Sequence, residues 1–510
     1  MNKIASATRP DFSMGVSVSD IPEGGMLAGH VAGTPALLVS AGGEFFAIGA
    51  KCTHYGGSLV EGLLVEKAIR CPLHHACFSV QTGEVLGAPA LDRLKTWRVE
   101  QQRGRVYVNE ELPAPPITKL ASQRLPNSVV IVGGGGAGQA AAETLRREGY
   151  PGRITMLASD PAIPYDRPNL SKDYLAGQAK PEWMPLRPHS FYTDNGIDLR
   201  TNVRVEKIDR DARDFRLSDG TKLDYDALLL ATGADPVRLQ VPGASLPHVC
   251  QLRTMNDADK LIGLSRQAKN CVIVGAGFIG LECAASLRTR GLAVHVVAPS
   301  QHPLQHALGE ELGDMLRHLH ETNGVTFHLG TKVIAIEARQ VTLANGSRLD
   351  ADLVVVGIGV RPNVDLAKTA GLDEDNGIIV NHLLETSDPH IYAAGDVARW
   401  IDPRSGSRTR VEHWVVAQRM GATAARNILG LRHPFAVVPF FWSQQYDVAV
   451  KYVGHADRWD RLEIDGDPAT HDCAVSYWQE GSKLAVATVG RDLQSLESEA
   501  TLEECLKRAR

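Results

Sequence analysis

Two short segments near the start of the chain combine cysteine and histidine in a pattern that suits metal binding. Cys52 and His54 form a C-x-H segment, and Cys71 and His74 form a C-x-x-H segment further along. Thiolates together with imidazoles are ligands of zinc and of iron–sulfur centres. Because two cysteines and two histidines also make a common tetrahedral zinc set, the four residue types alone leave zinc and iron–sulfur equally open.

A glycine-rich motif that suits nucleotide binding occurs twice. Each copy follows a short apolar run and precedes a stretch of helical character. A strand, a tight glycine turn and a helix N-terminus together bring backbone N–H groups close to a pyrophosphate. The two copies therefore predict two Rossmann-like dinucleotide-binding units. The motif glycines are Gly133, Gly135 and Gly138 in the first copy and Gly275, Gly277 and Gly280 in the second.

The residue after the second strand of each unit bears on the choice of nucleotide. After the first glycine motif, Asp160 follows the predicted strand Ile154–Leu157 and is the candidate partner of the ribose hydroxyls. After the second glycine motif, Ala298 follows the predicted strand Ala293–Val297. An acidic residue there would favour NADH and an arginine would favour NADPH. The second glycine motif therefore predicts a nicotinamide site but does not select between NADH and NADPH.

Length and pattern outline the elements that must position these residues. The chain has 510 residues, which suggests three or four domains, and its 44% hydrophobic content is typical of a globular protein. The first 112 residues read as an all-β module, and a proline-rich linker follows at 113–126. The short apolar runs that predict strands in this module are Ala36–Val39, Phe45–Ile48, Ala68–Arg70, Trp97–Val99 and Val106–Val108.

Charge and hydropathy argue against several functional classes. The chain has 54 Lys and Arg against 59 Asp and Glu, a net charge of -5, which argues against nucleic-acid binding through bulk positive charge. We expect no membrane span, because no long apolar run is free of charge. Residues 1–20 lack the apolar core of a secretory signal, so we expect a cytoplasmic protein. Its 8 cysteines are too few for a disulfide scaffold, and in such a protein clustered cysteines indicate metal or redox ligands.

The cysteine–histidine segments and their surroundings resemble the Rieske [2Fe–2S] family. The resemblance implies that Cys52 and Cys71 bind one iron and that His54 and His74 bind the other. His75 stands where a glycine commonly follows the second histidine ligand, and we interpret it as a non-ligand. The matching residues are Cys52-Thr53-His54-Tyr55-Gly56-Gly57, Cys71-Pro72-Leu73-His74, Thr82-Gly83-Glu84 and Gly87-Ala88-Pro89-Ala90.

Residues 127–460 resemble the FAD-dependent pyridine-nucleotide reductases, in particular the ferredoxin-reductase and apoptosis-inducing-factor-like branch. The motifs that carry the resemblance are Pro164–Lys172, Ala231-Thr232-Gly233, Ala393-Ala394-Gly395-Asp396, Glu412-His413-Trp414 and Phe441–Asp447. The resemblance implies that FAD is bound by Arg167, Lys172, Thr232, Gly233, Gly395, Asp396 and Trp414, besides the first glycine motif and Asp160. No cysteine lies between Cys77 and Cys250, so the redox cysteines of disulfide reductases are absent from the FAD segment.

Two charged residues are candidates for a catalytic pair at the flavin. Glu282 lies in an otherwise apolar run, where a buried carboxylate would need a partner. The resemblance implies that Lys172 and Glu282 face each other at the N5 edge of the flavin, where the nicotinamide docks. A lysine there could stabilise negative charge on the reduced flavin.

Together these features predict a multi-domain chain with an all-β Rieske domain, two α/β dinucleotide-binding domains and a small α+β C-terminal domain. The FAD domain is expected to be discontinuous, with the NAD(P) domain inserted into it. The predicted boundaries are 1–112 for the Rieske domain, 113–126 for the linker, 127–250 and 376–430 for the FAD domain, 251–375 for the NAD(P) domain and 431–510 for the C-terminal domain.

The predicted function is transfer of electrons from NAD(P)H through FAD to the cluster and then to an external acceptor, either a protein or a small molecule. The family leans modestly toward NADH, and the sequence is compatible with a homo-oligomer. Two alternatives stay open: a redox-controlled interaction protein of the apoptosis-inducing-factor type, and an NAD(P)H oxidase that uses oxygen.

The residues around the predicted ligands indicate a cluster of low potential. High-potential Rieske proteins carry a cysteine pair and two hydroxyl groups where Gly57, Leu73, Ala76 and Phe78 stand here. Without hydroxyl hydrogen bonds to the cluster, we expect a midpoint potential toward the ~−150 mV end of the Rieske range. A redox titration of the purified protein measures it, and a value above about +100 mV would contradict this expectation.

Overall fold

A computed structural model describes residues 9–116 and 125–508 of the chain. These residues form two compact units. The first unit comprises residues 9–116, 452–454 and 491–508, and the second comprises residues 125–451 and 455–490. Residues 117–124 of the predicted linker lie outside the described residues, and the predicted domain boundaries stay predictions.

The first unit contains two antiparallel sheets. All five strands predicted in this module are present, and Ala68–Arg70 has the predicted bounds. The larger sheet has six strands, in the spatial order Val16–Ser17, Arg105–Glu111, Thr96–Gln102, Glu44–Gly49, Thr34–Ala41 and Met26–Val31. The smaller sheet has four, in the order Leu63–Val65, Ala68–Arg70, Cys77–Ser79 and Val85–Gly87.

The strand Thr34–Ala41 is apolar along most of its length because it lies between two hydrophobic cores. Alternate side chains of a strand point to opposite faces, and here both faces are covered. Leu37 packs into the core that also holds Cys52 and Cys71, whereas Leu38 packs into a separate core on the other face. The candidate ligand cysteines are therefore anchored in one of the two cores of the module.

The first unit also contains the last helix of the chain, Asp492–Arg508, which contacts the strand Leu63–Val65. The buried residues of this helix lie on one face, because their spacing matches the 3.6-residue period of a helix. The buried residues are Ser495, Leu496, Glu499, Leu502 and Leu506. A glutamate therefore lies on an otherwise apolar or small-residue face.

Two parallel five-stranded sheets organise the second unit. Each has a glycine-motif strand at its centre, Ser128–Val132 in one and Asn270–Val274 in the other, and these central strands are almost wholly buried because a parallel sheet is covered on both faces. The first sheet has the order Ile197–Arg200, Arg153–Leu157, Ser128–Val132, Ala227–Leu230 and Ile391–Ala393. The second has the order Val249–Cys250, Leu353–Val356, Asn270–Val274, Ala293–Ala298 and Val325–Leu329.

The helices after the two motifs begin earlier than the sequence pattern indicated. The patterns predict helices over 139–147 and 281–290, whereas the structure has Gly136–Arg147 and Phe278–Thr289. The reason is that the last glycine of each motif lies in the first turn of the helix. A glycine-rich stretch that reads as loop in the sequence is partly helical, since the third glycine allows the helix to pack directly on the loop.

The remaining elements of the second unit are small sheets and helices. The minor sheets are Val205–Asp209 with Asp214–Leu217 and Lys222–Asp224, Ala234–Pro236 with Val360–Pro362, Val333–Ile336 with Gln340–Leu343 and Arg348–Asp350, and Ile378–Ile379 with Ala398–Ile401 and Arg408–Thr409. The other α-helices are Asp173–Ala176, His189–Asp194, Met255–Ser265, Gln305–Leu308, Glu310–Thr322, Asp365–Thr369 and Trp414–Ile428. Short 3-10 helices lie at Arg167–Ser171, Pro181–Trp183 and Pro468–Thr470 in this unit, and at Phe12–Met14, Val18–Asp20 and Leu59–Glu61 in the first unit.

A final five-stranded sheet follows the nucleotide-binding segments. Its order is Phe440–Gln445, Val448–Gly454, Ser482–Val489, Asp472–Gln479 and Arg461–Asp467. The predicted fold class is confirmed, since an all-β module precedes two α/β sheets and an α+β segment ends the chain. Among the described residues, no helix combines the length and the apolar character needed to cross a membrane.

Close packing of two helices in the second unit provides a test of the fold. The helix Trp414–Ile428 meets the helix Gly136–Arg147 so closely that a Cβ on Gly421 would lie 2.0 Å from the carbonyl oxygen of Ala137. We expect Gly421→Ala to lower the free energy of unfolding by ~1–3 kcal/mol, as overpacking does. Thermal or denaturant unfolding of the purified protein measures this.

Gly263 is the matched control for this substitution. It lies on the exposed side of the helix Met255–Ser265, and a Cβ there meets no atom within 4 Å. Gly263→Ala should be neutral or stabilising by up to ~1 kcal/mol, because alanine is the better helix former. Equal unfolding free energies for the two variants would contradict the close approach at Gly421.

Candidate functional site

The four predicted cluster ligands lie in two loops that close in the same way. In the first loop the backbone N–H of Cys52 donates to the carbonyl oxygen of Gly57, at 2.8 Å. In the second loop the backbone N–H of Cys71 donates to the carbonyl oxygen of Ala76, also at 2.8 Å. The second loop connects the strands Ala68–Arg70 and Cys77–Ser79. Equivalent local geometry therefore presents one cysteine and one histidine from each loop.

The four side chains form two pairs, each of one residue type. The Nδ1 atoms of His54 and His74 are 3.2 Å apart. The thiol of Cys71 hydrogen-bonds that of Cys52 and, together with burial, raises the pKa of Cys52 far above its usual value. This pairing fits a [2Fe–2S] cluster, in which each iron takes two protein ligands. Within residues 9–116 and 125–508, no group of three or more His, Cys, Asp or Glu side chains is arranged around a single metal ion.

The environment of the imidazole pair favours its metal-binding form. Burial lowers the pKa of His54 to about 4, so this ring is neutral at physiological pH, as a metal ligand must be. Tyr55 stacks on His54, with ring centroids 4.0 Å apart, and lies edge-on to His74. Because Tyr55 is 49% exposed, it covers the two imidazoles on the solvent side.

Gly57 is required by a close approach at the second thiol. A Cβ at this position would lie 2.9 Å from both the Sγ of Cys71 and the Cδ1 of Leu73. The same distance shows that Gly57 and Leu73 are neighbours. In high-potential Rieske proteins a cysteine pair occupies these two positions.

The two glycine motifs share one packing pattern. A Cβ on Gly133 would lie 2.0 Å from the carbonyl oxygen of Ala231, and a Cβ on Gly138 would lie 1.9 Å from that of Gly133. The corresponding distances in the second motif are 2.2 Å for Gly275 to Gly357 and 2.3 Å for Gly280 to Gly275. In contrast, a Cβ on the middle glycine would meet only Arg167, at 3.7 Å, in the case of Gly135 and nothing within 4 Å in the case of Gly277. The crowded glycines pack the loop, and the middle glycine leaves space for a pyrophosphate.

Arg167 and Asp396 of the FAD segment lie close to Arg253, the third residue of the predicted NAD(P) segment. The Nη2 of Arg253 lies 2.8 Å from the Oδ2 of Asp396. The Nε of Arg167 is buried without a hydrogen-bond partner in the described structure. Burial and the neighbouring Arg253 lower the pKa of Arg167. A buried, unsatisfied guanidinium N–H and an excess of positive charge both suit an anionic dinucleotide such as FAD.

The other predicted FAD residues surround the same loop. A Cβ on Gly136 would lie 3.1 Å from the ring of Trp414, so this ring packs over the glycine loop. Gly395 has a φ of 81° and approaches Ala137, the next residue of the loop. Asp160 accepts hydrogen bonds from the Tyr165 hydroxyl, at 2.7 Å, and from a backbone amide. Its carboxylate is therefore held in position after the strand Arg153–Leu157.

Thr232 and Gly233 are held by one asparagine. The hydroxyl of Thr232 donates to the carbonyl oxygen of Asn363, at 2.9 Å, and the side chain of Asn363 donates to the carbonyl oxygen of Thr232, at 3.1 Å. The backbone N–H of Asn363 donates to the carbonyl oxygen of Gly233, at 2.9 Å. The turn is thereby fixed where the FAD and NAD(P) segments meet.

Lys172 and Glu282 form a buried ion pair. The Nζ of Lys172 lies 2.8 Å from the Oε2 of Glu282, and the glutamate side chain is 3% exposed. The hydroxyls of Ser171 and Ser443 donate to the two carboxylate oxygens of Glu282, at 2.5 and 2.6 Å. Gln445 donates in turn to the Ser443 hydroxyl, at 2.7 Å. The carboxylate therefore has three donors, Ser171, Lys172 and Ser443, which come from two segments of the chain.

Comparisons with known proteins agree with this geometry. Residues 127–421 match the pyridine nucleotide-disulphide oxidoreductase family, residues 13–98 match the Rieske [2Fe-2S] domain, and residues 440–504 match the reductase C-terminal domain. The chain belongs to the pyridine nucleotide-disulphide oxidoreductase family. It is an oxidoreductase that uses FAD and NAD(P)H and carries a Rieske [2Fe–2S] domain.

Two relatives and one solved structure illustrate the likeness. This oxidoreductase is 34% identical over 494 residues to apoptosis-inducing factor 3 of Homo sapiens, covering 93% of this chain and 81% of that protein. It is 36% identical over 390 residues to putidaredoxin reductase CamA of Pseudomonas putida, covering 74% and 92%. The structure of the covalent putidaredoxin reductase–putidaredoxin complex matches with a TM-score of 0.72 and 36% identity, covering 75% of this chain and 94% of that chain.

Several residues that complete the site in this oxidoreductase escaped the sequence interpretation. Ser171 and Ser443 lie inside motifs that were recognised, but nothing in the motifs shows that their hydroxyls meet Glu282. Arg253 carries no sequence signal at all for its contact with Asp396. The roles of the predicted site residues stay predictions.

Proposed function

We propose that this chain is an electron-transfer enzyme that oxidises NAD(P)H and passes the electrons through FAD and its own Rieske cluster to an external acceptor. The observation that carries the proposal is the combination, in one chain, of two glycine loops built for nucleotides with two loops that pair cysteine with cysteine and histidine with histidine. When bound, the flavin supplies the conversion of hydride transfer into single-electron transfer, and the cluster supplies a one-electron carrier.

Within this function the ion pair has a defined role. Lys172 would place a fixed positive charge beside a bound flavin and would stabilise the negative charge that the flavin gains on reduction. Glu282 holds the ammonium group in place from the NAD(P)-motif helix. Ser171 and Ser443 stabilise the carboxylate by donating to it. Because the pair is preorganised and buried, its electrostatic effect is larger than that of an exposed charge.

The acceptor is proposed to be a ferredoxin-like protein. The support is the solved complex of putidaredoxin reductase with putidaredoxin, which resembles this chain over 75% of its length. A relative from Burkholderia cepacia, named as the ferredoxin–NAD(+) reductase component of an anthranilate 1,2-dioxygenase system, also supports it. We further propose a cytoplasmic location, because 8 cysteines in 510 residues, with Cys52 and Cys71 as proposed metal ligands, are not the pattern of a disulfide-rich secreted protein.

A second candidate is a redox-controlled interaction protein. The observation that favours it is the relative named apoptosis-inducing factor 3, which matches 93% of this chain. Stopped-flow mixing with NADH, in which the rate of cluster reduction is compared with the rate of oxygen consumption, separates the leading proposal from this candidate and from an oxygen-using oxidase. The proposed enzyme should reduce its cluster faster than it consumes oxygen.

The cluster assignment is tested by metal analysis and by one ligand substitution. The purified chain should contain two iron and two acid-labile sulfide per molecule, because two pairs of ligands hold two irons. His74→Ala should abolish electron transfer beyond the flavin and leave the reduction of flavin by NAD(P)H intact. Zinc alone in the wild-type protein would refute the assignment.

The role of the ion pair is tested at the flavin. Lys172→Ala should slow the reduction of flavin by NAD(P)H by roughly 10²-fold, the usual effect of removing one electrostatic stabiliser. Stopped-flow absorbance at the flavin band measures the rate. Lys180→Ala is the control, since Lys180 is an exposed lysine in the same segment. Unchanged flavin reduction in Lys172→Ala would exclude the proposed role even though the pair exists.

A further inference from the structure

One carboxylate oxygen on the last helix contacts both residues that flank the second ligand segment. The Oε2 of Glu499 lies 2.8 Å from the Nδ1 of His75 and 3.3 Å from the Nη1 of Arg70. Arg70 directly precedes Cys71, and His75 directly follows His74. All of these residues belong to the first compact unit. A single atom therefore holds the segment at both of its ends.

This carboxylate is buried. The side chains of Glu499 and His75 are 0% exposed, and that of Arg70 is 12% exposed. Because a carboxylate only accepts hydrogen bonds, the Nδ1 of His75 is the donor. Glu503, one turn further along the helix, approaches Arg70 to 2.5 Å. Two carboxylates thus face one guanidinium group behind the ligand loop.

Docking of the helix does not by itself explain a charge at this position. The other buried residues of the helix include Leu496, Leu502 and Leu506, and burial of such side chains is sufficient to hold a helix against a sheet. Burying a carboxylate opposes docking unless its partners compensate. The placement of Glu499 therefore needs a reason related to what it contacts.

The backbone at His75 supplies that reason. His75 has a φ of 60°, in the left-handed region that favours glycine, and it is not a glycine. Its backbone N–H donates to the carbonyl oxygen of Cys71, at 3.1 Å, which closes the ligand loop. A residue held in this conformation persists where its surroundings fix it. The hydrogen bond from its ring to Glu499 does so.

We propose that Glu499 is a positioning residue for the cluster: it fixes the Cys71–His74 ligand segment through Arg70 and His75, and its negative charge lowers the reduction potential of the cluster. The electrostatic part follows because reduction adds an electron, which a nearby buried carboxylate opposes. The inference rests on the proposed cluster ligands. It assigns a role at the cluster to a residue of the last helix of the chain.

The test compares full-length variants after iron, sulfide and spectra have been measured on the wild-type protein. Glu499→Gln keeps the size and the acceptor oxygen and removes the charge, whereas Glu499→Ala removes both. Glu503→Gln is the matched control, because Glu503 contacts the same guanidinium group of Arg70 from the next turn of the same helix. The readouts are the midpoint potential, the g-values of the reduced cluster by electron paramagnetic resonance, and the iron content. Reduction of flavin by NADH reports on the second unit.

Glu499→Gln should keep its iron and raise the midpoint potential above that of Glu503→Gln. Glu499→Ala should also change the g-values and lose iron several-fold faster to a chelator. Flavin reduction should match the wild type in all three variants. If Glu499→Ala does not fold, the potential of Glu499→Gln decides the question.

The inference would be overturned if the Glu499 variants kept the midpoint potential, the g-values and the iron retention of the wild-type protein. An equal rise in potential in Glu503→Gln would also overturn it, because the effect would then belong to the charge of the helix in general. A wild-type protein without two iron and two sulfide would instead overturn the proposed function. The two failures are therefore distinguishable.

Discussion

A buried carboxylate must be surrounded by donors, and this requirement ties together the second unit of the chain. Glu282 accepts from Ser171 and Lys172 in the flavin segment and from Ser443 in the final sheet. It lies in the first turns of the helix that follows the second glycine motif. A shift of any one of the three segments would leave charge unpaired in a dry environment. The ion pair that is proposed to act at the flavin thus also fixes how these segments lie against one another.

Close approach of backbone to backbone is the second constraint. In both glycine motifs the first and third glycines leave no room for a side chain, and the middle glycine faces open space. The same packing recurs where Gly421 meets Ala137, so that the helix bearing Trp414 lies directly on the first motif. The space left for a dinucleotide is therefore defined by atoms of the main chain, which cannot change rotamer.

The first unit uses buried charge in a similar way. Its ligand loops are closed by matching backbone hydrogen bonds, and the thiols lie in the core while the imidazoles lie toward Tyr55. Behind the second loop, Glu499 and Arg70 bring charge to a place that is otherwise apolar. A chain that keeps such groups buried retains stability only when every partner is in place. The conformation of the ligand loops is correspondingly well specified.

The sequence by itself determined the chemistry that depends on local order. Ligand types and spacing, the two strand–glycine–helix motifs, the fold class and the family all follow from residues close together in the chain, because a turn or a helix start is a local structure. The starts of the motif helices were placed too late, since glycine favours loops except where close packing requires it in a helix. Tertiary structure alone decided which groups meet across long separations: Ser443 with Glu282, Arg253 with Asp396, and Glu499 with His75. Each of these contacts pairs a charge that is buried or partly buried, and burial is a property of the folded chain that no short segment of sequence contains.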